Sequence, residues 1–139
     1  MQIQIINGPN LNLLGVREPG IYGQQTFESY FQELQQRFVS LTLGSFQSNV
    51  EGELIDCIQR HGLQGDKLVI NPGGYSHTSV AIRDAIAAVG GQAIEVHLSN
   101  LHAREAFRHQ SITAGACIGV ISGFGLAGYE MAIQRFLAS

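Results

Sequence analysis

Short runs rich in aliphatic and β-branched residues alternate with helical patterns along this chain, and that alternation leaves few folds open. Residues 2–7, 41–47, 67–71, 93–97 and 117–122 read as strands. Residues 26 to about 39, 51–61, 79–89 and 125–137 read as helices, with a shorter one around 104–107. In the first helix Phe27, Phe31, Leu34 and Phe38 recur at three- and four-residue steps behind Thr26, a suitable cap. In the third, Ala81, Ile82, Ala85, Ile86 and Val89 form one apolar stripe. Strands joined through helices pair in parallel, because a parallel pair needs a crossover of a dozen or more residues. The expectation is an α/β fold with a five-stranded parallel sheet.

With 139 residues and 45% hydrophobic content, the chain can bury one sizeable core, and residues 1–139 read as one domain. Eight basic residues against 11 acidic ones give a net charge of −3 with no basic cluster, which argues against nucleic acid as a partner. No apolar run approaches the roughly 20 residues needed to cross a bilayer. The first residues begin a strand rather than a signal peptide, so the expectation is a cytoplasmic protein with no membrane partner. Cys57 and Cys117 sit among apolar neighbours and read as buried thiols without chemistry.

Polar residues cluster where strands end. Asn7 and Asn10 follow the first strand, Gln47 to Asn49 the second, Asn71 the third, and His97, Ser99 and Asn100 the fourth. In an open parallel sheet the carboxyl edge is where loops converge and a ligand crevice opens. Turn formation explains several of these Asn and Ser residues, but it explains His97 and nearby Glu95 poorly. Strand alternation puts Glu95 and His97 on one side, so a carboxylate can orient the imidazole, which makes His97 a candidate general acid. Asn71 to Ser79 leads from the third strand into a helix, with backbone amides, His77 and Thr78 or Ser79 near a helix N-terminus that suits a carboxylate or a hydroxyl-rich ligand. The alternative is a tight turn with an ordinary cap. Arg83 and Asp84 lie opposite that helix's apolar stripe; the default is a solvated ion pair, although an outward Asp can reach a neighbouring subunit's site.

Residues 10–23 form a loop punctuated by Gly and Pro that carries Arg17 and Tyr22. A phenol with a pKa near 10 serves as a base only if a cation favours the phenolate, and Arg17 is available for that. The plainer alternative is a surface loop in which Tyr22 packs and Arg17 is solvated. Two further patterns are decoys. Gly123 to Gly128 matches the dinucleotide fingerprint G-x-G-x-x-G, but no strand with an acidic residue follows it, so it reads as structural. His97 and His102 lack a third ligand at metal spacing, and no metal is expected.

These segments together resemble the type II 3-dehydroquinate dehydratases over essentially the entire chain. The signatures are Asn7-Gly8-Pro9-Asn10-Leu11, Arg17-Glu18-Pro19 through Tyr22-Gly23, Gln47-Ser48-Asn49, His77-Thr78-Ser79-Val80-Ala81 before Arg83-Asp84-Ala85, and Glu95-Val96-His97 with His102-Ala103-Arg104-Glu105. The resemblance implies a flavodoxin-like three-layer sandwich, a cofactor-free dehydration of 3-dehydroquinate to 3-dehydroshikimate, and a homododecamer of four trimers. It further implies Tyr22 as base, Arg17 as the lid cation that activates it, His97 as acid, Asn10 holding a water and Glu95 orienting His97. Asn71, His77, Ser99, the Leu98 backbone and Arg108 would bind substrate, with Asp84 lent by a neighbouring subunit. Gly74, Ser76, Gln110 and Ile112 depart from the usual pattern, and Gln110 bears on how the region around Arg108 is arranged. A flavin-binding flavodoxin-like module is the competing reading, but the first loop lacks a Ser/Thr-rich phosphate cradle. Lys67 is the chain's sole lysine and begins the third strand, away from Asn71, which disfavours an imine mechanism.

Overall fold

Side-chain alternation along the first strand, β1 (Gln2–Asn7), decides the layering, because its two faces are buried against different helices. The computed structural model describes residues 1–16 and 25–138. β1 lies within a sheet completed by β2 (Thr42–Gln47), β3 (Lys67–Asn71), β4 (Ala93–His97) and β5 (Gly119–Ser122). Every pairing is parallel, in the order β2-β1-β3-β4-β5. This is the flavodoxin-like doubly wound order, whose direction of winding reverses between β1 and β3.

Four helices cover the sheet: α1 (Phe27–Arg37), α2 (Glu51–Leu63), α3 (Val80–Ala88) and α4 (Ala127–Leu137). Ile3 and Ile5 of β1, Val69 of β3 and Ile94 and Val96 of β4 pack with Tyr30 and Leu34 of α1 and with Tyr129, Ala132, Ile133 and Phe136 of α4. Ile6, Leu68, Ile70 and Ala93 project to the opposite face, against Leu54, Cys57 and Ile58 of α2 and Ile82, Ala85 and Ile86 of α3. The three layers therefore follow from period-2 patterning on the strands meeting period-3.6 patterning on the helices.

Local chemistry sets the ends. The Thr26 hydroxyl accepts the Ser29 N–H at 3.1 Å and caps α1, as its position predicts. β2 and β5 begin later than the spacing predicts, because turns bonded from Leu41 N to the Phe38 carbonyl and from Cys117 N to the Ala114 carbonyl consume the preceding residues. The helix expected over 104–107 is two single 3-10 turns, Leu101–Ala103 and Ala106–Arg108. Arg104 separates them in an extended conformation at φ −106° and ψ −168°. The apolar stripe of α3 is narrower than predicted: Ala81 is exposed, whereas Ile82, Ala85 and Ile86 are buried.

At the reversal point, Asn7 and Asn71 are register partners. Gly8 N donates to the Asn71 carbonyl at 2.7 Å, and a Cβ on Gly8 would stand 2.3 Å from the Pro72 carbonyl oxygen, so only glycine allows the two loops to approach this closely. Beneath them the buried Tyr129 hydroxyl donates to Asn7 Oδ1 at 2.7 Å and accepts from Asn71 Nδ2 at 3.0 Å. Burial raises the Tyr129 phenol well above its ordinary range, so it stays a neutral donor. Tyr129→Phe leaves two buried amide groups short of a partner and is expected to lower stability by about 1–3 kcal/mol in urea unfolding. An unchanged midpoint would show that the amide pair does not need the hydroxyl.

Candidate active site

A cavity of about 200 Å³ opens at the carboxyl ends of β1, β3 and β4, a size for a small ligand. The loop after β1 supplies Pro9, Asn10 and the single turn Leu11–Leu13 to its wall. Asn10 is the only non-glycine described residue with positive φ, at 69°. Asn has a short side chain that tolerates this region, and Asn49 Oδ1 accepts the Asn10 N–H at 3.0 Å to hold the turn. Gln47 Nε2 braces the same loop by donating to the Gly8 carbonyl at 3.1 Å and to Asn49 Oδ1 at 3.2 Å. Asn71, Gly73, Gly74 and His77 form the second wall, and His97, Leu98, Ser99, Leu101, Arg104 and Arg108 the third.

Between β3 and α3 the chain makes a 3-10 turn, Gly73–His77, that carries His77 to the cavity. Its Nδ1 bonds the Gln110 carbonyl at 2.9 Å, which is the part Gln110 plays here, through its backbone. The His77 and His97 rings lie with centroids 6.4 Å apart at 24°. Arg108 donates from Nε to Glu105 at 3.0 Å and lies over the Phe107 ring at 4.9 Å, contacts that brace the guanidinium. Arg104 Nη1 reaches the Ser99 hydroxyl at 3.3 Å. Two guanidiniums, two imidazoles and two carboxamides thus converge on one small space, a set that suits an anionic ligand bearing hydroxyls.

Behind His97 stands Glu95, whose side chain is fully buried. His97 Nε2 meets Glu95 Oε2 at 2.7 Å, Ser111 Oγ donates to the same oxygen at 2.6 Å, and Thr113 Oγ1 donates to Oε1. Burying a carboxylate costs several kcal/mol. Three charge-assisted hydrogen bonds at roughly 2 kcal/mol each are enough to reverse that. Burial alone would raise the Glu95 carboxyl, but the bonds from His97, Ser111 and Thr113 outweigh it and hold the group below the ordinary carboxylate range. An ionised Glu95 accepts the Nε2 proton and leaves Nδ1 as the His97 nitrogen for exchange with the cavity.

Comparison with known proteins bears on what such a cavity serves. The family described as Dehydroquinase class II is matched over residues 1–137. The chain belongs to the class II dehydroquinase family. A 3-dehydroquinate dehydratase from Mesorhizobium japonicum is 53% identical over 137 residues, covering 96% of this chain and 95% of that protein. One from Carboxydothermus hydrogenoformans is 51% identical over 137 residues, covering 96% and 88%. The type II dehydroquinase structure from Butyrivibrio crossotus superposes with a TM-score of 0.93 at 48% identity, over 100% of this chain and 98% of that one. That from Propionibacterium acnes gives 0.94 at 38%, over 99% and 97%.

Of the residues that the dehydroquinase resemblance singles out, Asn10, Asn71, His77, His97, Leu98, Ser99 and Arg108 line the cavity, and Glu95 backs it. Arg17 and Tyr22 lie outside the described residues. Asp84 is exposed on α3 and does not line this chain's own cavity. At Ser79 the alternative of an ordinary cap is what the structure shows: its hydroxyl accepts the Ile82 N–H at 2.9 Å and donates to Glu51 at 2.6 Å, so it caps α3 and ties it to α2. The ion pair expected of Arg83 needs correction. Arg83 does not pair with Asp84 but donates to the Ile112 carbonyl at 2.7 Å.

Sequence reasoning did not select Arg104, Ser111, Thr113 or Tyr129 as site residues. Arg104 stands four residues before Arg108 and was open to inference from that spacing; the other three lie in no motif and are brought in by packing. The glycines of 123–128 have structural duties. Gly123 has φ +101°, and a Cβ on Gly128 would stand 3.0 Å from Val96, so α4 lies close against the sheet. Cys57 and Cys117 are free thiols that burial raises to about 11 and about 12. Among the described residues no three His, Cys, Asp or Glu side chains gather as a metal site, and no helix is long and apolar enough to cross a membrane.

Because the folded-state pKa of Glu95 is depressed, the stability it contributes is present above its ordinary value of 4.5 and is lost as pH falls through the lower folded value. The difference in unfolding free energy between wild type and Glu95→Gln is therefore expected to stay level above that pH and to shrink below it. A difference that holds constant down through the acid range would contradict an ionised Glu95.

Proposed function

We propose that this chain is a type II 3-dehydroquinate dehydratase of the shikimate pathway, one catalytic domain spanning residues 1–139 that eliminates water from 3-dehydroquinate without a cofactor. The observation that carries this reading is the gathering of Asn10, Asn71, His77, His97, Ser99 and Arg108 around one cavity, with His97 bonded to a buried carboxylate. The names of relatives about 50% identical point to the same substrate.

The reaction removes a proton from the carbon next to the ketone and expels the hydroxyl one carbon further on. In this reading Tyr22, made basic by Arg17, takes the C2 proton, and the electron pair moves onto the ketone oxygen as an enolate. Arg17 and a water held by Asn10 stabilise that oxygen's charge. Collapse of the enolate breaks the C1–O bond as His97 gives its proton to the leaving oxygen, so that water departs and the conjugated enone forms. Glu95 accepts the Nε2–H of His97 and stabilises the imidazolium, whose Nδ1–H is the proton given to the leaving oxygen, so that the ring is left neutral with its Nε2–H still on Glu95. Asn71, His77, Ser99, the Leu98 backbone and Arg108 hold hydroxyls and carboxylate. The reading includes a homododecamer of four trimers, with Asp84 reaching a neighbour's site, and a cytoplasmic setting. Lys67 at the amino end of β3 bonds Gln92 Oε1 at 3.1 Å, at the strand end remote from Asn71, which favours this route over an imine.

Incubation with 3-dehydroquinate is expected to produce the ultraviolet absorbance of an enone conjugated with the carboxylate. Tyr22→Phe, Arg17→Ala and His97→Asn should each cut kcat by about 100-fold or more without changing assembly size, as expected for loss of a general acid or base. Wild-type turnover in Tyr22→Phe would remove the base assignment. Borohydride added during turnover should leave Lys67 unmodified by mass spectrometry, and an adduct there would replace the enolate route with an imine. A visible flavin spectrum in the purified protein would favour the competing module.

A further inference from the structure

Glu95 receives more from its surroundings than orientation of one imidazole requires, because two hydroxyls from the segment after Arg108 also point their protons at it. We propose that Ser111 and Thr113 are positioning residues of the dehydration, keeping Glu95 an anion so that it holds His97 for proton delivery; the assignment rests on the functional reading above.

The geometry allows these hydroxyls little else to do. The Ser111 oxygen accepts the Ala114 N–H at 3.1 Å, so its single proton is left for Glu95 Oε2. Thr113 is completely buried, and its proton goes to Oε1. The segment is clamped from two sides: Ile112 N and Thr113 N bond the Ser76 carbonyl at 2.6 and 3.4 Å, and Arg83 of α3 holds the Ile112 carbonyl. A valine would fill the Thr113 volume equally well, so packing does not account for a hydroxyl at a fully buried position.

An acceptor-only carboxylate is matched by three inward donors, whereas a protonated one would have to turn a donor away. Once Glu95 takes a proton, it has no need of the Nε2–H of His97, and the ring loses its fixed tautomer. The other titratable and charged groups around the pair are His77, stacked on His97; Cys117, whose thiol is raised by burial and further by Glu95; Arg83 beside Cys117; and Arg104 and Arg108 on the cavity wall. None of them donates a hydrogen bond to Glu95 in place of a lost hydroxyl.

The sign follows from the donors. Removing one raises the proton affinity of Glu95, so the acid limb of the kcat profile moves to higher pH. Thr113→Val is expected to move that limb up by about half a pH unit or more. It should lower kcat by about 10-fold at its optimum, with KM changed by less than about twofold. Ser111→Ala should move the limb the same way, and Thr113→Ser, which restores a hydroxyl, should recover the wild-type profile. In substrate-free protein the carbon-13 titration of the Glu95 carboxyl should rise in Thr113→Val and return in Thr113→Ser. An unshifted carboxyl titration, or a Thr113→Ser variant as impaired as Thr113→Val, would overturn the proposal. Wild-type protein that leaves 3-dehydroquinate unchanged would instead refute the functional reading, while the carboxyl titration tests the link between hydroxyl and carboxylate by itself.

Discussion

Parallel pairing of β1 with β3, and of β3 with β4, is the constraint on which the rest of this molecule depends. Because the strands run in one direction, their carboxyl ends share one edge, and every loop that leaves that edge borders the same space. The register then distributes polar side chains between the two faces. Asn7 and Asn71 follow Ile5 and Val69 toward α1 and α4, where Tyr129 meets them. Glu95 and His97 alternate with Ile94 and Val96 and so turn toward the opposite layer, where Ser111 and Thr113 wait. A slip of one residue in β4 would exchange Glu95 and His97 for aliphatic side chains.

The two polar clusters are built on different physics. The Asn7–Tyr129–Asn71 chain is neutral and buried, and it works by giving both carboxamides a partner in one hydroxyl. The Glu95 cluster buries a charge, which is tolerable only because three donors replace the water it loses. One cluster makes a rigid floor, and the other makes a responsive pair whose proton balance can serve chemistry. Each reaches the cavity wall, one through Asn71 and the other through His97, and in the proposed mechanism the described part of the fold supplies the acid and the anion contacts. In the proposed mechanism the base must come from residues 17–24.

Much of this was legible in the residues. Alternation marked all five strands, Thr26 announced its cap, and the two-residue step from Glu95 to His97 told that a carboxylate would meet an imidazole. What escaped did so for local reasons. The helix expected over 104–107 broke because Asn100 closes a turn on His102 N and Arg104 is extended between the two turns. Between a ligand group and an ordinary cap the residues left Ser79 open, and the contact that decides it, with Glu51 of α2, joins residues 28 positions apart. Arg83 found a carbonyl on another segment in place of the acidic neighbour in sequence.

By itself, then, the sequence determined the element order, the parallel sheet, the edge where polar groups collect and the family to which the chain belongs, because period and spacing are local properties that survive without coordinates. Tertiary structure alone decided that Ser111 and Thr113 face Glu95 and that Tyr129 joins Asn7 to Asn71. Those contacts join residues remote in the chain or set by loop geometry, and hydrogen-bond direction exists only once packing has brought donor and acceptor within 3 Å or so of each other.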